Sequence, residues 1–346
     1  MERISVFEKK RIYNGLDLLK FVMALAVVAI HVKPFSTAPL LYRIACPILR
    51  AAVPTFFLIT SFLFFCKYYS RESRDRGRIL GGYCKRIGLL YIVWFVIDIG
   101  FIILRKNYFQ SGGENKMGTL VIQLVKDVFF ASTYPGSWFL SASVMALVFV
   151  CLMSRYLGSL VTFFLCLLIS LYIAFHSVLP ELLQIPYNWY AATFREEVNL
   201  SFPFAMVWMS MGEIMAKSSH YQKWEMFGKS HKKLLAALFV LVFLVALCGF
   251  EYTSYFIVPL IFVLACCVDL KDSKIYRYLR NSSILVFFSH FWIAGKKCIF
   301  LDLIGYDITI FHIVYYLIVV AVCFSFAMIV LLLEQKRGLK FLKYLH

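Results

Sequence analysis

The first long apolar segment of the chain carries three ionisable side chains whose spacing suits chemistry on one helix face. This segment runs from Leu16 to Val32 and includes Asp17, Lys20 and His31. With about 100° of rotation per residue, Lys20 and His31 differ by roughly 20° around a helix, and Asp17 lies within about 60° of both. Ionisable groups inside a membrane segment are costly and usually mark a function. Because the pKa of imidazole lies near neutrality, His31 is predicted to act as a general base.

Each of these three side chains also has a structural interpretation. Asp17 and Lys20 are three residues apart, which allows an ion pair along one helix face. Lys20 is near enough to the start of the segment for its ammonium group to reach the membrane interface. His31 is able to bond to a carbonyl group of a neighbouring helix. The functional interpretation makes His31 and Asp17 catalytic residues and Lys20 a contact for a phosphate group.

The composition indicates an integral membrane protein. Of the 346 residues, 62% are hydrophobic and 16% are charged, which is too few charges for the polar surface of a soluble protein of this length. Apolar segments long enough to cross the hydrocarbon core recur along the chain. The predicted fold is all-α, a polytopic protein with about ten transmembrane helices and both termini in the cytoplasm. The expected location is the cytoplasmic (inner) membrane.

The net charge of +17 follows the predicted topology. Most lysines and arginines lie in loops assigned to the cytoplasmic side, which is the positive-inside pattern. This distribution favours membrane lipids or an anionic ligand as partners, and it argues against nucleic acid. The ten cysteines include no CxxC pair, and the chain has no P-loop, HExxH or GxSxG motif. We therefore expect no metal site and no permanently bound cofactor.

The pattern of apolar segments divides the chain into three regions. Residues 1–15 form a cytoplasmic N-terminal segment, 16–333 the transmembrane domain and 334–346 a basic cytoplasmic tail. Residues 120–131 show amphipathic helical spacing and are predicted to lie on the membrane surface. The predicted transmembrane helices are 16–32, 48–66, 87–104, 138–153, 157–175, 200–216, 234–250, 254–268, 283–301 and 312–333.

Two further groups of residues are candidates for a site. Arg78, Lys85 and Arg86 lie close to the start of the third predicted helix. They are either a topology signal or a place where arginine and lysine bind an anionic ligand. His290, in the ninth predicted helix, either packs between helices or faces the same cavity as His31.

These features resemble the membrane-bound acyltransferase-3 family, the bacterial transmembrane acyltransferases that modify cell-surface glycans. One shared feature is a basic residue, ten others and then histidine, which here is Lys20 to His31. The others are Gly136 to Leu140 (GSWFL), residues 195–216 and residues 282–292. The chain departs from the family at Leu89, where an arginine is frequent, and it carries Ser137 where a polar or histidine residue often precedes the Trp-Phe-Leu sequence. It is also expected to lack the hydrolase-like and racemase domains that are fused to some related proteins.

The resemblance implies transfer of an acyl group, most simply acetyl, from acyl-CoA to a hydroxyl group of a glycan or lipid-linked saccharide. It implies that acetyl-CoA enters from the cytoplasm and that the acceptor lies outside. The residues assigned to CoA are Lys20, Arg78, Lys85 and Arg86. The residues assigned to the acceptor are His290, Trp138 and Arg195.

Two other classes of function fit the same pattern of buried charges. In a transporter or flippase for an anionic or sugar substrate, the intramembrane groups bind or couple to the substrate. In a sensor or assembly subunit, His31 has no chemical role. Inverted repeats favour transport, and the sequence shows no repeat.

Overall fold

The computed structural model describes residues 13–100, 102, 116–194, 197–217, 226–268, 270–294 and 312–346. Within these residues the secondary structure is helical and includes no strand, which confirms the predicted all-α class. We name the principal helices in chain order: α1 (Asn14–Val32), α2 (Pro39–Tyr69), α3 (Arg76–Ile97), α4 (Lys116–Phe129), α5 (Ser137–Leu157), α6 (Ser159–Phe175), α7 (Glu181–Thr193), α8 (Phe202–Ala216), α9 (Lys232–Leu247), α10 (Ser254–Cys267), α11 (Lys274–Ala294) and α12 (His312–Glu334).

Each of the ten segments predicted to cross the membrane coincides at least in part with a helix. Six helical segments of the described residues are long and apolar enough to cross a membrane: Asn14–Val32, Pro39–Tyr69, Ser73–Ile97, Ser137–Leu157, Ser159–Val178 and His312–Glu334. The helices α8 and α10 are apolar but shorter. The number of spans and the side of the membrane on which the termini lie therefore stay predictions.

Two helices begin earlier than the hydropathy pattern predicts. The third predicted helix starts at residue 87, whereas α3 begins at Arg76 and includes basic residues ahead of its apolar part. Similarly, α11 begins at Lys274 rather than at residue 283. The reason is that hydropathy marks the apolar part of a helix, while the backbone hydrogen bonds continue through the polar turns that precede it.

The helix α1 packs against α2, α10, α11 and α12, so the segment with the unusual charges lies inside the bundle. Gly15 allows the close approach of α10, because a Cβ atom at this position would overlap the carbonyl oxygen of Ala265. Asn14 Nδ2 donates to the carbonyl oxygen of Lys271, just ahead of α11, at 3.4 Å. The helices α1 and α11 therefore start at the same end of the bundle, which we call the basic end.

A second close contact joins α2 to α8. The Ser61 hydroxyl donates to the carbonyl oxygen of Met209, and a Cβ atom added to Gly212 would lie 2.8 Å from the backbone nitrogen of Phe62. Small residues thus let the two backbones approach each other, as is common where helices meet in membranes. This contact holds α2 in place, and α2 supplies one wall of the site.

The segment that follows α12 turns back against the bundle. Residues Arg337–Leu345 form 3₁₀ turns that pack on α12 and α3. The indole nitrogen of Trp94 donates to the carbonyl oxygen of Leu345 at 3.2 Å, and Nε2 of His346 lies 3.0 Å from a carboxylate oxygen of Glu334. This segment completes the wall of the cavity described next.

Candidate active site

A cavity of about 840 Å³ lies between α1, α2, α3, α5 and α11. Its lining includes several basic side chains, which is an unusual concentration of positive charge within a helix bundle. The basic side chains of this cationic cavity are Lys20, Lys67, Arg78, Arg86, Arg280 and His346. Such an arrangement suits a ligand with several negative charges, since guanidinium groups bind phosphate oxygens in pairs.

The basic end of the cavity is organised by a contact between α1 and α11. Nη1 of Arg280 donates to Oδ2 of Asp17 at 3.4 Å, and the Asp17 side chain is almost completely buried. The structure thus gives this carboxylate a partner on another helix, Arg280, whereas the spacing within α1 had suggested Lys20. The contact holds Arg280 beside Lys20 in the wall of the cavity.

One face of α3 supplies much of the cavity wall. Arg78, Gly82, Arg86 and Leu90 follow one another at intervals of four residues, so they share one helix face, and all four line the cavity. Arg78 Nη1 also lies 3.3 Å from Oδ1 of Asp75.

Lys85 belongs to a different part of α3. It is exposed, and it points about 100° away from Arg86 around the helix, outside the set of residues that line the cavity. The structure therefore brings together three of the four residues assigned to the donor, namely Lys20, Arg78 and Arg86.

Three phenylalanines close the end of the cavity that lies opposite the cationic residues. The ring centroids of Phe139 and Phe287 are 5.3 Å apart. The ring centroid of Phe56 lies 6.0 Å from that of Phe139 and 6.1 Å from that of Phe287. The three rings come from α5, α11 and α2, and all of them line the cavity. We call this set, Phe56, Phe139 and Phe287, the phenylalanine layer.

Two histidines lie immediately beyond the phenylalanine layer. The ring centroids of His31 and His290 are 5.1 Å apart, and that of His290 is 6.2 Å from Phe287. Phe291 packs on both histidine rings, at 4.7 Å and 4.0 Å. The cavity lining includes neither histidine. His31 belongs to α1 and His290 to α11, and we call the end of the bundle where their rings meet the histidine end.

The hydrogen bonding of His290 fixes one of its tautomers. Its Nδ1 lies 3.2 Å from the carbonyl oxygen of Val286, and a carbonyl oxygen only accepts, so Nδ1 carries the proton. The side chain is completely buried, and Nε2 has no hydrogen-bond partner among the described residues. An imidazole in this state presents a free lone pair, as a proton acceptor requires.

Gly136 contributes to the position of the aromatic residues around the histidines. Its φ angle of 82° lies in the left-handed region, and a Cβ atom there would lie 2.8 Å from the ring of Phe291 and 3.3 Å from that of Phe287. A side chain at this position would be strained and would also displace both rings. The GSWFL segment thus turns the chain tightly at the histidine end, directly ahead of α5.

The two remaining residues assigned to the acceptor are Trp138 and Arg195. The ring of Trp138 packs 6.2 Å from Phe57 and 6.4 Å from Phe139, behind the phenylalanine layer rather than in the cavity lining. Arg195 lies outside the described residues. Among the residues that the structure describes, no group of three or more His, Cys, Asp or Glu side chains is placed to hold a metal ion.

Sequence reasoning missed three basic residues of the cavity, Lys67, Arg280 and His346. Lys67 lies in the last turn of α2, just beyond the predicted second helix (48–66). Arg280 precedes the predicted ninth helix (283–301), because the charged start of α11 gives no hydropathy signal. The available signal was helical periodicity: Arg280, Ser283 and Phe287 are spaced by three and four residues, so they share one face of α11.

Comparison with known proteins identifies the family. The sequence model of a protein family, described as an acyltransferase domain, matches residues 13–340. The chain therefore belongs to the acyltransferase-3 family. Two amino-acid racemases of Enterococcus faecalis are similar over part of their length, with 29% identity over 147 residues and 31% identity over 142 residues. These matches cover 42% and 40% of this chain but only 20% and 18% of the two racemases. No solved structure matches the chain.

Proposed function

We propose that this protein is a multi-pass acyltransferase of the cytoplasmic membrane that moves an acetyl group from acetyl-CoA to a hydroxyl group of a glycan or lipid-linked saccharide. Membership of the acyltransferase-3 family supports the class of reaction. The observation that carries the proposal is the placement of a cationic cavity and a histidine pair at the two sides of one phenylalanine layer.

The cationic cavity suits the phosphate groups of CoA. Arg86, Arg280 and Lys20 come from three different helices and line the same space, so a phosphorylated ligand would neutralise charges that otherwise repel one another. The apolar residues farther along the cavity, such as Ile87, Leu90 and Ile284, would contact the pantetheine arm. In this orientation the thioester lies against the phenylalanine layer.

The histidine pair would handle the proton of the reaction. The acceptor hydroxyl oxygen attacks the thioester carbonyl carbon, the bond between carbon and sulfur breaks, and CoA leaves as a thiolate. His31 removes the hydroxyl proton during the attack and passes it to the sulfur, which completes the formation of the ester and free CoA. General base catalysis of this kind contributes about 10²–10⁴-fold to a rate.

The phenylalanine layer has to open during this reaction. It separates the cavity from His31 and His290, so the acyl group reaches the histidines only after at least one ring has changed its rotamer. A closed layer without acceptor would shield the thioester from water on the far side of the membrane. Exclusion of water is a general way in which acyl transfer is kept apart from hydrolysis.

The direct test uses purified protein in liposomes with acetyl-CoA labelled in the acetyl group, a crude saccharide-lipid extract as acceptor, and the variant His31→Ala. The wild type is expected to transfer the label to the extract. The transfer rate of the variant is expected to be lower by at least about 10²-fold. His231→Ala is the matched control, because His231 is exposed and is not part of the cavity lining.

Two results would contradict the proposal. One is equal transfer by wild type and His31→Ala, which would remove the general base. The other is the absence of both transfer and acetyl-CoA hydrolysis together with uptake of a saccharide or anion into the liposomes, which would favour a transporter. Label that reaches the protein covalently before the acceptor would show a two-step route at the same site.

A further inference from the structure

The segment that follows α12 packs on the bundle through one aliphatic edge. Residues Arg337–Leu345 form 3₁₀ turns, and we call them the returning segment. Three residues complete a turn of a 3₁₀ helix, so Leu339, Leu342 and Leu345 lie along one edge. Leu339 is half-buried, Leu342 packs against the core, and Leu345 is buried. This inner edge therefore faces the bundle.

The other two edges of the returning segment face outward. One edge carries Lys340 and Lys343, which are both exposed. The other carries Phe341 and Tyr344, which are 60% and 43% exposed. Aromatic rings beside lysines are typical of a surface that lies at the membrane interface, where the rings enter the headgroup region and the ammonium groups stay near the phosphates. The two outward edges thus have the composition of a lipid-contacting surface.

The inner edge is connected to the cationic cavity. The carbonyl oxygen of Leu345 accepts from the indole nitrogen of Trp94, whose ring stacks on that of Phe288 at 4.9 Å. Phe288 lines the cavity and packs against Phe287 of the phenylalanine layer, with ring centroids 5.0 Å apart. The residue after the returning segment, His346, lines the cavity itself. The position of the returning segment therefore decides whether this wall of the cavity is complete.

The two lysines are available to an external anionic group. Within the part of the chain that the structure describes, neither Lys340 nor Lys343 forms an ion pair. Nζ of Lys343 lies 5.0 Å from the ring centroid of Tyr344, so the cationic and aromatic edges adjoin each other. A soluble anion would neutralise the lysines but would leave the aromatic rings in water. An anionic phospholipid satisfies both edges, because its phosphate pairs with the lysines and its acyl chains contact the rings.

We propose that the outward edges of the returning segment bind the headgroups of anionic phospholipids, and that this contact keeps the inner edge in the wall of the cationic cavity. A lysine near an anionic membrane surface changes a binding constant by about fivefold, so Lys340 and Lys343 together change the docking of the segment by about 30-fold. The lipid acts on the cavity without entering it. The lipid contact is independent of the proposed function, whereas its effect on CoA rests on that function.

The first test measures hydrogen exchange of residues 337–346 in two kinds of nanodisc. One contains phosphatidylcholine alone, and the other contains phosphatidylcholine mixed with anionic phosphatidylglycerol. In the wild type, the amides of the segment are expected to exchange more slowly in the mixed nanodiscs, by up to about 30-fold. The double variant Lys340→Gln with Lys343→Gln is expected to exchange at the same rate in both.

The matched control is the double variant Lys233→Gln with Lys274→Gln. It removes the same charge from two exposed lysines at the starts of α9 and α11, outside the returning segment and the cavity lining. It is expected to show the lipid dependence of the wild type. Thermal unfolding of each variant verifies that the protein compared is folded.

The second test measures CoA binding by calorimetry in the same nanodiscs. Wild type and the variant of Lys340 and Lys343 are compared within one lipid composition, because an anionic surface also repels CoA. In mixed nanodiscs the variant is expected to bind CoA about twofold to tenfold more weakly, as the loss of one polar contact from His346 predicts. In phosphatidylcholine the two proteins are expected to bind CoA equally, since neither has an anionic surface for the segment to dock on.

The outcomes separate the lipid contact from its effect on the cavity and from the proposed function. Equal exchange of the wild-type segment in both nanodiscs, or the same lipid dependence in the variant of Lys340 and Lys343, would overturn the lipid contact. So would protection by inorganic phosphate in phosphatidylcholine nanodiscs, which would show an ion site. Lipid-dependent exchange with equal CoA affinity of wild type and variant in mixed nanodiscs would overturn the link to the cavity. If the wild type binds no CoA in either nanodisc, the proposed donor is wrong, and the exchange rates still decide the lipid contact.

Discussion

The imidazole rings of His31 and His290 lie with their centroids 5.1 Å apart, although the two residues are far apart in the chain. They meet because α1 and α11 pack side by side and start at the same end of the bundle. The hydrogen bond from His290 Nδ1 to the Val286 carbonyl oxygen leaves the lone pair of His290 Nε2 free, beside the ring of His31. The candidate catalytic centre is therefore a histidine pair rather than a single histidine.

His290→Asn is expected to slow acyl transfer by about 10² while the KM for acetyl-CoA stays unchanged. The rate falls because asparagine cannot take or return a proton beside His31. Donor binding is preserved because the phenylalanine layer lies between His290 and the cavity. Steady-state kinetics with labelled acetyl-CoA measures both quantities.

The control for the histidine pair is His176→Asn. His176 stacks on Tyr187, with ring centroids 3.4 Å apart, and lies outside the cavity lining. It is expected to keep the wild-type rate. An unchanged rate in His290→Asn as well would leave His31 as the one histidine with a role in the reaction.

Phe139→Ala is expected to raise the hydrolysis of acetyl-CoA in the absence of acceptor. Removal of one ring opens the phenylalanine layer, so water from the histidine end reaches the thioester. Burial of less apolar surface will also lower stability, by less than the about 3–5 kcal/mol that a fully buried phenylalanine contributes, because Phe139 is only partly buried. Release of free CoA thiol, measured with a chromogenic thiol reagent, reports the hydrolysis.

Two further variants make the phenylalanine prediction specific. Phe139→Leu fills more of the space and is expected to hydrolyse less acetyl-CoA than Phe139→Ala. Phe164→Ala removes an exposed ring of α6 and is expected to leave hydrolysis unchanged. If all three variants hydrolyse acetyl-CoA at the wild-type rate, the layer does not shield the thioester.

The sequence was sufficient for features that depend on local pattern. Apolar length predicted where helices lie, and helical periodicity predicted that Lys20 and His31 face one side of α1. The structure places Lys20 in the cavity wall and His31 beyond the layer, along the same helix. These agreements arise because a single helix fixes the relative position of its own residues.

The features that the sequence did not predict depend on contacts between helices. Asp17 and Arg280 are 263 residues apart, and the phenylalanine layer draws its rings from three helices. No periodicity within one segment encodes which helices become neighbours. Residues without a side chain, such as Gly15 and Gly212, decide this by permitting close approach, and a glycine in a single sequence does not indicate which helix will pack against it.

Arg280→Gln is expected to weaken CoA binding and also to destabilise the protein. The variant removes a cationic group from the cavity and leaves the buried carboxylate of Asp17 without its cross-helix donor. Hydrogen bonds to charged groups contribute about 1.5–3 kcal/mol, and the partial exposure of Arg280 puts the expected loss toward the lower value. Thermal unfolding and calorimetry with CoA measure the two effects.

The double variant Asp17→Asn with Arg280→Gln separates these two roles. It removes the unpaired charge, so it is expected to regain most of the stability of the wild type. Binding of CoA should stay weak, because the cationic group is still missing. Recovery of both properties would show that Arg280 serves only to pair with Asp17.

The buried carboxyl group of Glu213 is expected to stabilise the basic end of the bundle without acting in catalysis. Glu213 lies on α8 and is completely buried, and its Oε1 accepts from the hydroxyl groups of Tyr69, Ser154 and Ser159. Those three residues belong to α2, α5 and α6, so the carboxyl group connects four helices. Glu213→Leu leaves three hydroxyl groups without their acceptor and is expected to cost about 3 kcal/mol or more.

Glu213→Gln keeps one acceptor oxygen and is expected to lose less stability than Glu213→Leu. Glu181→Leu is the surface control, since Glu181 is exposed at the start of α7. This variant is expected to unfold at the same temperature as the wild type. Because Glu213 lies outside the cavity lining, the folded fraction of each variant should bind CoA with wild-type affinity. A weakened affinity at unchanged stability would instead connect Glu213 with the donor site.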